Sequence, residues 1–177
     1  MVDMVETPLA SSLDSAPAQV LILPRFILAT LQRFFAPYAR RRVETVALLC
    51  GIEREHESIV TTLAFPEAKR APRHYEVNRT SMSAAARELA RSNMVVLAQA
   101  HTHPEDWVGH SKCDDTHAYS TRDGALSLVW PRYGRGSPPL DHVGILELRE
   151  GTWQQLAPLE RDTRIRVVQD ILDYRSG

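Results

Sequence analysis

From residue 24 onward the apolar positions fall into short runs whose period changes along the chain. Ile27, Leu28, Leu31, Phe34 and Phe35 recur at three- and four-residue steps, which predicts an amphipathic helix over residues 24–39. Pro24 suits its first turn, and Arg40, Arg41 and Arg42 load the end where cations are favoured. The basic triplet is read as a solvated helix end. Residues 44–51 and 58–65 are rich in Val, Ile, Leu and Thr and flank the charged stretch 53–57, the pattern of an antiparallel hairpin. A loop over 66–72 and a short strand over 75–77 follow, then a helix over 81–92 built from good helix formers. Residues 94–100 form a nearly continuous apolar run, as expected of a strand buried on both faces.

The second half predicts a loop over 101–113, a helix over 114–121 and another buried strand over 125–130. Prolines and glycines make 131–140 a surface loop. Strands over 143–149 and 153–156 are joined by a turn at Glu150-Gly151. A closing helix from Pro158 carries Ile165, Val168, Ile171 and Leu172 on one face. Residues 1–18, small and polar, read as a flexible leader before a single domain over 19–177. The element order α-β-β-β-α-β-α-β-β-β-α predicts a mixed α/β sheet with helices packed on it.

Composition narrows the function. A chain of 177 residues with 44% hydrophobic and 24% charged residues is an ordinary globular domain. A net charge of −1 gives no electrostatic case for nucleic acid as a partner. Nineteen arginines against Lys69 and Lys112 alone hint at a GC-rich bacterial gene. Cys50 and Cys113 are too few for a disulfide framework, so reduced thiols in a cytoplasmic setting are expected. The apolar stretch 20–35 is cut by Pro24, Arg25, Gln32 and Arg33, and Asp3 and Glu6 replace a basic leader. Neither a signal peptide nor a membrane partner is expected.

The candidate chemistry lies in His101-Thr102-His103-Pro104, followed by Ser111 and Asp114. In extended backbone residues i and i+2 point the same way, so both imidazoles can face one ion, and Pro104 stiffens the exit. Ser111-x-x-Asp114 before a helix also reads as a capping box; beside two convergent histidines we favour Asp114 as a third ligand. Such a site needs a proton acceptor, and Glu44, acidic at the head of an apolar strand, is the candidate. On the residues alone it reads equally as a strand-edge residue at the solvent boundary.

Glu44 opening the run Glu44-Thr-Val-Ala-Leu-Leu-Cys-Gly51, then His101-Thr-His103-Pro104, then Ser111-x-x-Asp114, resembles the JAMM (MPN+, JAB-type) metalloproteases. The likeness spans roughly residues 22–156. It implies a cytidine-deaminase-like α/β/α sandwich with a mixed, largely antiparallel sheet. It further implies one zinc ion on His101, His103 and Asp114, Glu44 as general acid/base, and Ser111 holding the oxyanion. The implied activity is hydrolysis of peptide or isopeptide bonds at the C-terminus of a ubiquitin-like protein. The implied partners are that protein, its conjugates and E1- or E2-like enzymes encoded beside it, some such systems acting against phage.

Family members often place a proline or a bulky apolar residue before the serine; here Gly109-His110 stands there, with Trp107 earlier, which touches the shape of the substrate groove. Short segments at 66–80 and 131–141 suggest a minimal prokaryotic member. Three rival readings remain. A zinc deaminase wants a Pro-Cys-x-x-Cys pair that this chain lacks. A non-catalytic MPN scaffold would have lost ligands that are retained here. A JAMM enzyme could instead act on a sulfur-carrier adduct. Cys113 is read as a free buried thiol and Cys50 as core; His110 and His117 flank the site and are read as exposed loop or helix histidines rather than as groups that tune it. His56, His74 and His142 have no partner in the sequence.

Overall fold

The structure, a computed structural model, describes residues 19–169. The expected leader and the positions Ile171 and Leu172 lie outside the described residues. In chain order the elements are β1 (Val20–Pro24), α1 (Arg25–Arg41), β2 (Val46–Glu53), β3 (Glu57–Ala64), β4 (Ala68–Ala71), β5 (His74–Val77), α2 (Arg79–Arg91), β6 (Val95–Thr102), α3 (Lys112–Thr116), β7 (Leu126–Trp130), β8 (Gly144–Arg149), β9 (Thr152–Gln155), α4 (Pro158–Arg164) and β10 (Ile165–Val168).

Eight strands form one mixed sheet in the order β10-β1-β3-β2-β6-β7-β8-β9, and β4 with β5 makes a separate ribbon. β10–β1, β1–β3 and β6–β7 run parallel; β3–β2, β2–β6, β7–β8 and β8–β9 run antiparallel. α1 buries Ile27, Leu31, Phe35 and Ala39, one turn apart, against Leu21, Leu23, Ala47, Leu49, Ala98 and Leu128 on one face of the sheet. It stops at Arg42, whose φ of 54° is left-handed and ends the helical ladder. α2, capped by the Asn78 side chain on the amides of Thr80 and Ser81, lays Leu89 against Leu48 and Cys50 on the other face. Helices thus flank the sheet from both sides, the expected sandwich. Among the described residues no helix is long and apolar enough to cross a membrane.

Five expectations are corrected. The chain enters the sheet through β1, which directly abuts α1 and so merged with it in the hydrophobic pattern. The closing helix ends at Arg164, and Ile165 and Val168 lie on β10. Ile165, Val167 and Val168 are β-branched and prefer extended backbone, and the edge of β1 offers them a parallel ladder from Leu21↔Ile165 to Pro24↔Val168. The helix expected over 114–121 is α3 alone, begun earlier by Ser111 as N-cap and ended at His117. The 66–72 loop contains β4, paired to β5 from Ala68↔Val77 to Ala71↔His74. β6 also departs from burial along its length: Val95 is 43% exposed and burial is complete only from Ala98.

Candidate metal centre

Two strand ends and one helix start build the site. Side-chain alternation sends His101, on β6, and His103, one residue past it, to the same side. β2 pairs with β6 so that Val46 lies opposite His101, and continuing that register brings Glu44 opposite His103. The junction is locked in both directions: Thr45 N donates to Thr102 Oγ1 and Thr102 N to Thr45 O, each at 3.1 Å. His103 N donates to Trp130 O at 2.8 Å, and Tyr133 N holds the His103 carbonyl at 2.7 Å. The outgoing loop then crosses the start of β8. A Cβ on Gly144 would lie 2.0 Å from the Val108 carbonyl oxygen, so this crossing requires glycine.

The loop ends in a capping box. Ser111 Oγ accepts from Asp114 N at 3.2 Å, while Asp114 Oδ2 accepts from both Ser111 N and Ser111 Oγ at 2.7 Å. The capping and ligand readings of Asp114 therefore hold together: the cap fixes the carboxylate, and the carboxylate faces the histidines. His101 Nε2 and His103 Nε2 are 3.2 Å apart. Asp114 Oδ1 lies 3.6 Å from the first and Oδ2 3.3 Å from the second. A tetrahedral ion with bonds of about 2.0–2.1 Å has donor–donor edges of about 3.3 Å; the imidazole pair matches one such edge, and the Asp114 carboxylate lies close enough to both rings for one of its oxygens to share an ion with them. Among the described residues this is the one cluster of three His, Cys, Asp or Glu donors that meets.

The electrostatics agree with that fit. His103 Nδ1 lies 3.2 Å from the Trp107 carbonyl oxygen, which can only accept, so Nδ1 carries the proton and Nε2 offers its lone pair inward. Burial pushes His101 down to about 3 and keeps it neutral, as a ligand imidazole must be. Burial also opposes charge on His103, but the hydrogen bond and charge of Asp114 outweigh it and raise its pKa. Burial acts to raise Asp114; the bonds from His103 and Ser111 and the charge of His101 overcome it and hold the carboxyl well below the usual range. Acceptors that face one another this closely call for a cation, a proton on His103 or a metal shared by all three.

Glu44, His103, Ser111 and Asp114 line one cavity of about 130 Å³, with Arg73 and Tyr75 on its wall. His101 sits fully buried behind them. Glu44 is 4% exposed, and burial pushes its carboxyl up to about 7, with His103 opposing, Asp114 adding and Arg73 opposing. A carboxyl poised near neutrality can take and return a proton. All five residues singled out from the sequence thus meet at one place. Cys113, expected to be buried, is instead exposed on the short helix α3 and outside the donor set; desolvation and the charge of Asp114 raise its thiol pKa. Cys50 is core. Three side chains beyond the motif also shape the site. Tyr75 and His74 line the cavity, and Trp107 stacks on His103 at 5.1 Å. The signal for Tyr75 was the alternation within β5, where His74 is exposed and Tyr75 buried.

Fold and donor set together define a domain whose cavity can hold a metal ion beside a carboxyl of raised pKa. Residues 30–140 match the family model described as prokaryotic homologs of the JAB domain, and the chain belongs to that family. Over 147 residues it is 28% identical to a protein of Sinorhizobium fredii (strain NBRC 101917 / NGR234) named probable metalloprotease y4jG, covering 78% of this chain and 88% of the relative. In fold it is similar to protein DSY2949 of Desulfitobacterium hafniense, solved in solution, with a TM-score of 0.59 at 14% identity over 86% of this chain and 95% of that one. Family and donor set support metal-dependent hydrolysis as the chemistry of this cavity.

Proposed function

We propose that this chain is a zinc-dependent hydrolase of peptide or isopeptide bonds at the C-terminus of a ubiquitin-like protein. The observation that carries the reading is the sharing of one cavity by three N/O donors, a serine hydroxyl and a carboxyl raised to about 7. Three such protein donors leave a coordination position free, as in catalytic rather than structural zinc sites. When bound, zinc supplies Lewis acidity, bringing the pKa of a water toward about 7 and polarising a carbonyl.

The chain's own groups do the rest. Glu44 takes a proton from the attacking water as the new C–O bond forms, and delivers it to the amine as the C–N bond breaks. Ser111 Oγ, bonded to Asp114 Oδ2 at rest, is within the same cavity and can turn its proton toward the developing oxyanion. By family resemblance the partners are a ubiquitin-like protein, its conjugates and the E1- or E2-like enzymes that make them, in a bacterial conjugation or antiphage system.

The test is a panel of ubiquitin-like fusions incubated with and without chelator. Cleavage at the junction that chelator abolishes and zinc restores is expected. Chelator-insensitive cleavage contradicts the metal role. An untouched panel beside turnover of an unrelated peptide contradicts the substrate class.

A further inference from the structure

His110, the residue before Ser111, was expected to be an exposed loop histidine, and the structure instead gives it a buried and defined environment. The His110 side chain is 3% exposed. Its Nδ1 lies 3.1 Å from Asp115 Oδ1 and its Nε2 2.8 Å from Ser127 Oγ. Gln99 Nε2 donates to the same Ser127 oxygen at 3.2 Å, and Gln99 Oε1 accepts from Tyr119 N at 3.2 Å. The directions are consistent along the row: Gln99 donates to Ser127, Ser127 to His110, and His110 to Asp115. A serine, a histidine and an aspartate in this order resemble a nucleophilic triad. Ser127 is fully buried in the middle of β7, however, and no substrate carbonyl can reach it. The row is a clamp.

What it clamps is next to the donors. A ligand imidazole is ordinarily oriented by a hydrogen bond from its second nitrogen. His103 has that bond, whereas His101 Nδ1 is buried with no hydrogen-bond partner among the described residues. The His101 ring is held instead by rings: Tyr75 at 5.7 Å and His110 at 5.3 Å flank it, with His110 backed by Trp153 at 4.8 Å. Through Asp115 the same His110 also pins α3, the element that carries Asp114.

We propose that His110 is a positioning residue for the metal centre: fixed by Asp115 and Ser127, its ring walls His101 in place of the missing hydrogen bond and anchors the helix that presents Asp114. The proposal rests on the metal reading of His101, His103 and Asp114. It makes His110 a determinant of metal affinity and ligand geometry, with no part in proton transfer to substrate.

The test uses the full chain with Co²⁺ alone as probe, reading affinity by chelator competition and geometry by the visible absorption bands. His110→Ala is expected to weaken Co²⁺ binding about 10–100-fold, the usual effect of losing an outer-shell partner, and to change the bands. Asp115→Ala, which cuts one tether, is expected to weaken it less, and Asp115→Asn, which keeps an acceptor oxygen, to restore it. Removing an exposed imidazole by His56→Ala is expected to change nothing. Wild-type affinity and bands in His110→Ala overturn the proposal. Should that variant not fold, unchanged affinity and bands in Asp115→Ala overturn it equally. A wild-type chain that takes up no Co²⁺ overturns the metal reading and the proposal with it, a result distinct from loss in the variants alone.

Discussion

Two buried polar clusters sit toward opposite ends of β7, and they solve the burial of charge in different ways. Beside Leu126, Glu147 is gripped by Arg164 at 2.7 Å through Nη2 and 2.9 Å through Nε, and by Arg149 at 2.7 Å. Donors face acceptors there, and the cluster is closed. Beside Val129 and Trp130, His101, His103 and Asp114 present acceptors to one another, and Glu44 adds a second carboxyl. Equal burial with unequal complementarity separates a strut from a binding site: the first contributes to stability, the second stores affinity for a cation.

That contrast can be broken by single substitutions. Asp114→Ala should abolish metal uptake and all hydrolysis, measured as metal per chain and as turnover. The paired change Glu147→Leu with Arg164→Met should leave metal per chain at the wild-type level. Metal retained by the first or lost by the second would erase the distinction between the ends.

Glu44→Gln should keep the metal and lose about 10²–10⁴-fold in turnover, the range for a general acid/base. It also carries a pH signature. The Glu44 carboxyl is raised to about 7 in the fold, above its ordinary 4.5, so the native state holds that proton more tightly. Its contribution to stability is complete below about 4.5 and fades as pH rises through about 7. Metal-free wild type should therefore lose stability across that window, and metal-free Glu44→Gln should lose less, as thermal unfolding at several pH values will report.

At the closed end, Arg164→Ala strips Oε1 of Glu147 of its bonds and leaves the carboxylate to Arg149, so it should cost up to about 3 kcal/mol in denaturant unfolding. The apolar pair above should recover most of it. The smallest effect is expected from Trp107→Ala. Trp107 is 56% exposed, yet its ring lies over His103. Losing an aromatic contact of about 0.5–1.5 kcal/mol should weaken the metal a few-fold, read by chelator competition.

Much of this was visible in the sequence because the chemistry is local. His101 and His103 share a face by strand alternation, and Ser111-x-x-Asp114 is a helix start whatever else it does. Strands β2, β3, β6, β7 and β8 follow from their apolar runs. The end of the chain misled because Ile165 and Val168 are three apart, which reads as helix, whereas the edge of β1 that recruits them is nowhere near in sequence. β4 is Ala-Lys-Arg-Ala, with no alternation to reveal it, and exists only against β5. The His110 clamp stayed hidden for the same reason, since its partners come from β6, β7 and α3. It did leave a trace: Gln99 and Ser127 are single polar residues inside apolar runs, and buried polar side chains need partners.

X-ray absorption spectroscopy at the zinc edge on the reconstituted chain tests the central claim most directly. Two imidazoles and only N/O scatterers at about 2.0–2.1 Å, lost together in Asp114→Ala, are the expected result. A sulfur shell at about 2.3 Å, placing Cys113 on the metal, or an unchanged spectrum in that variant, would contradict it.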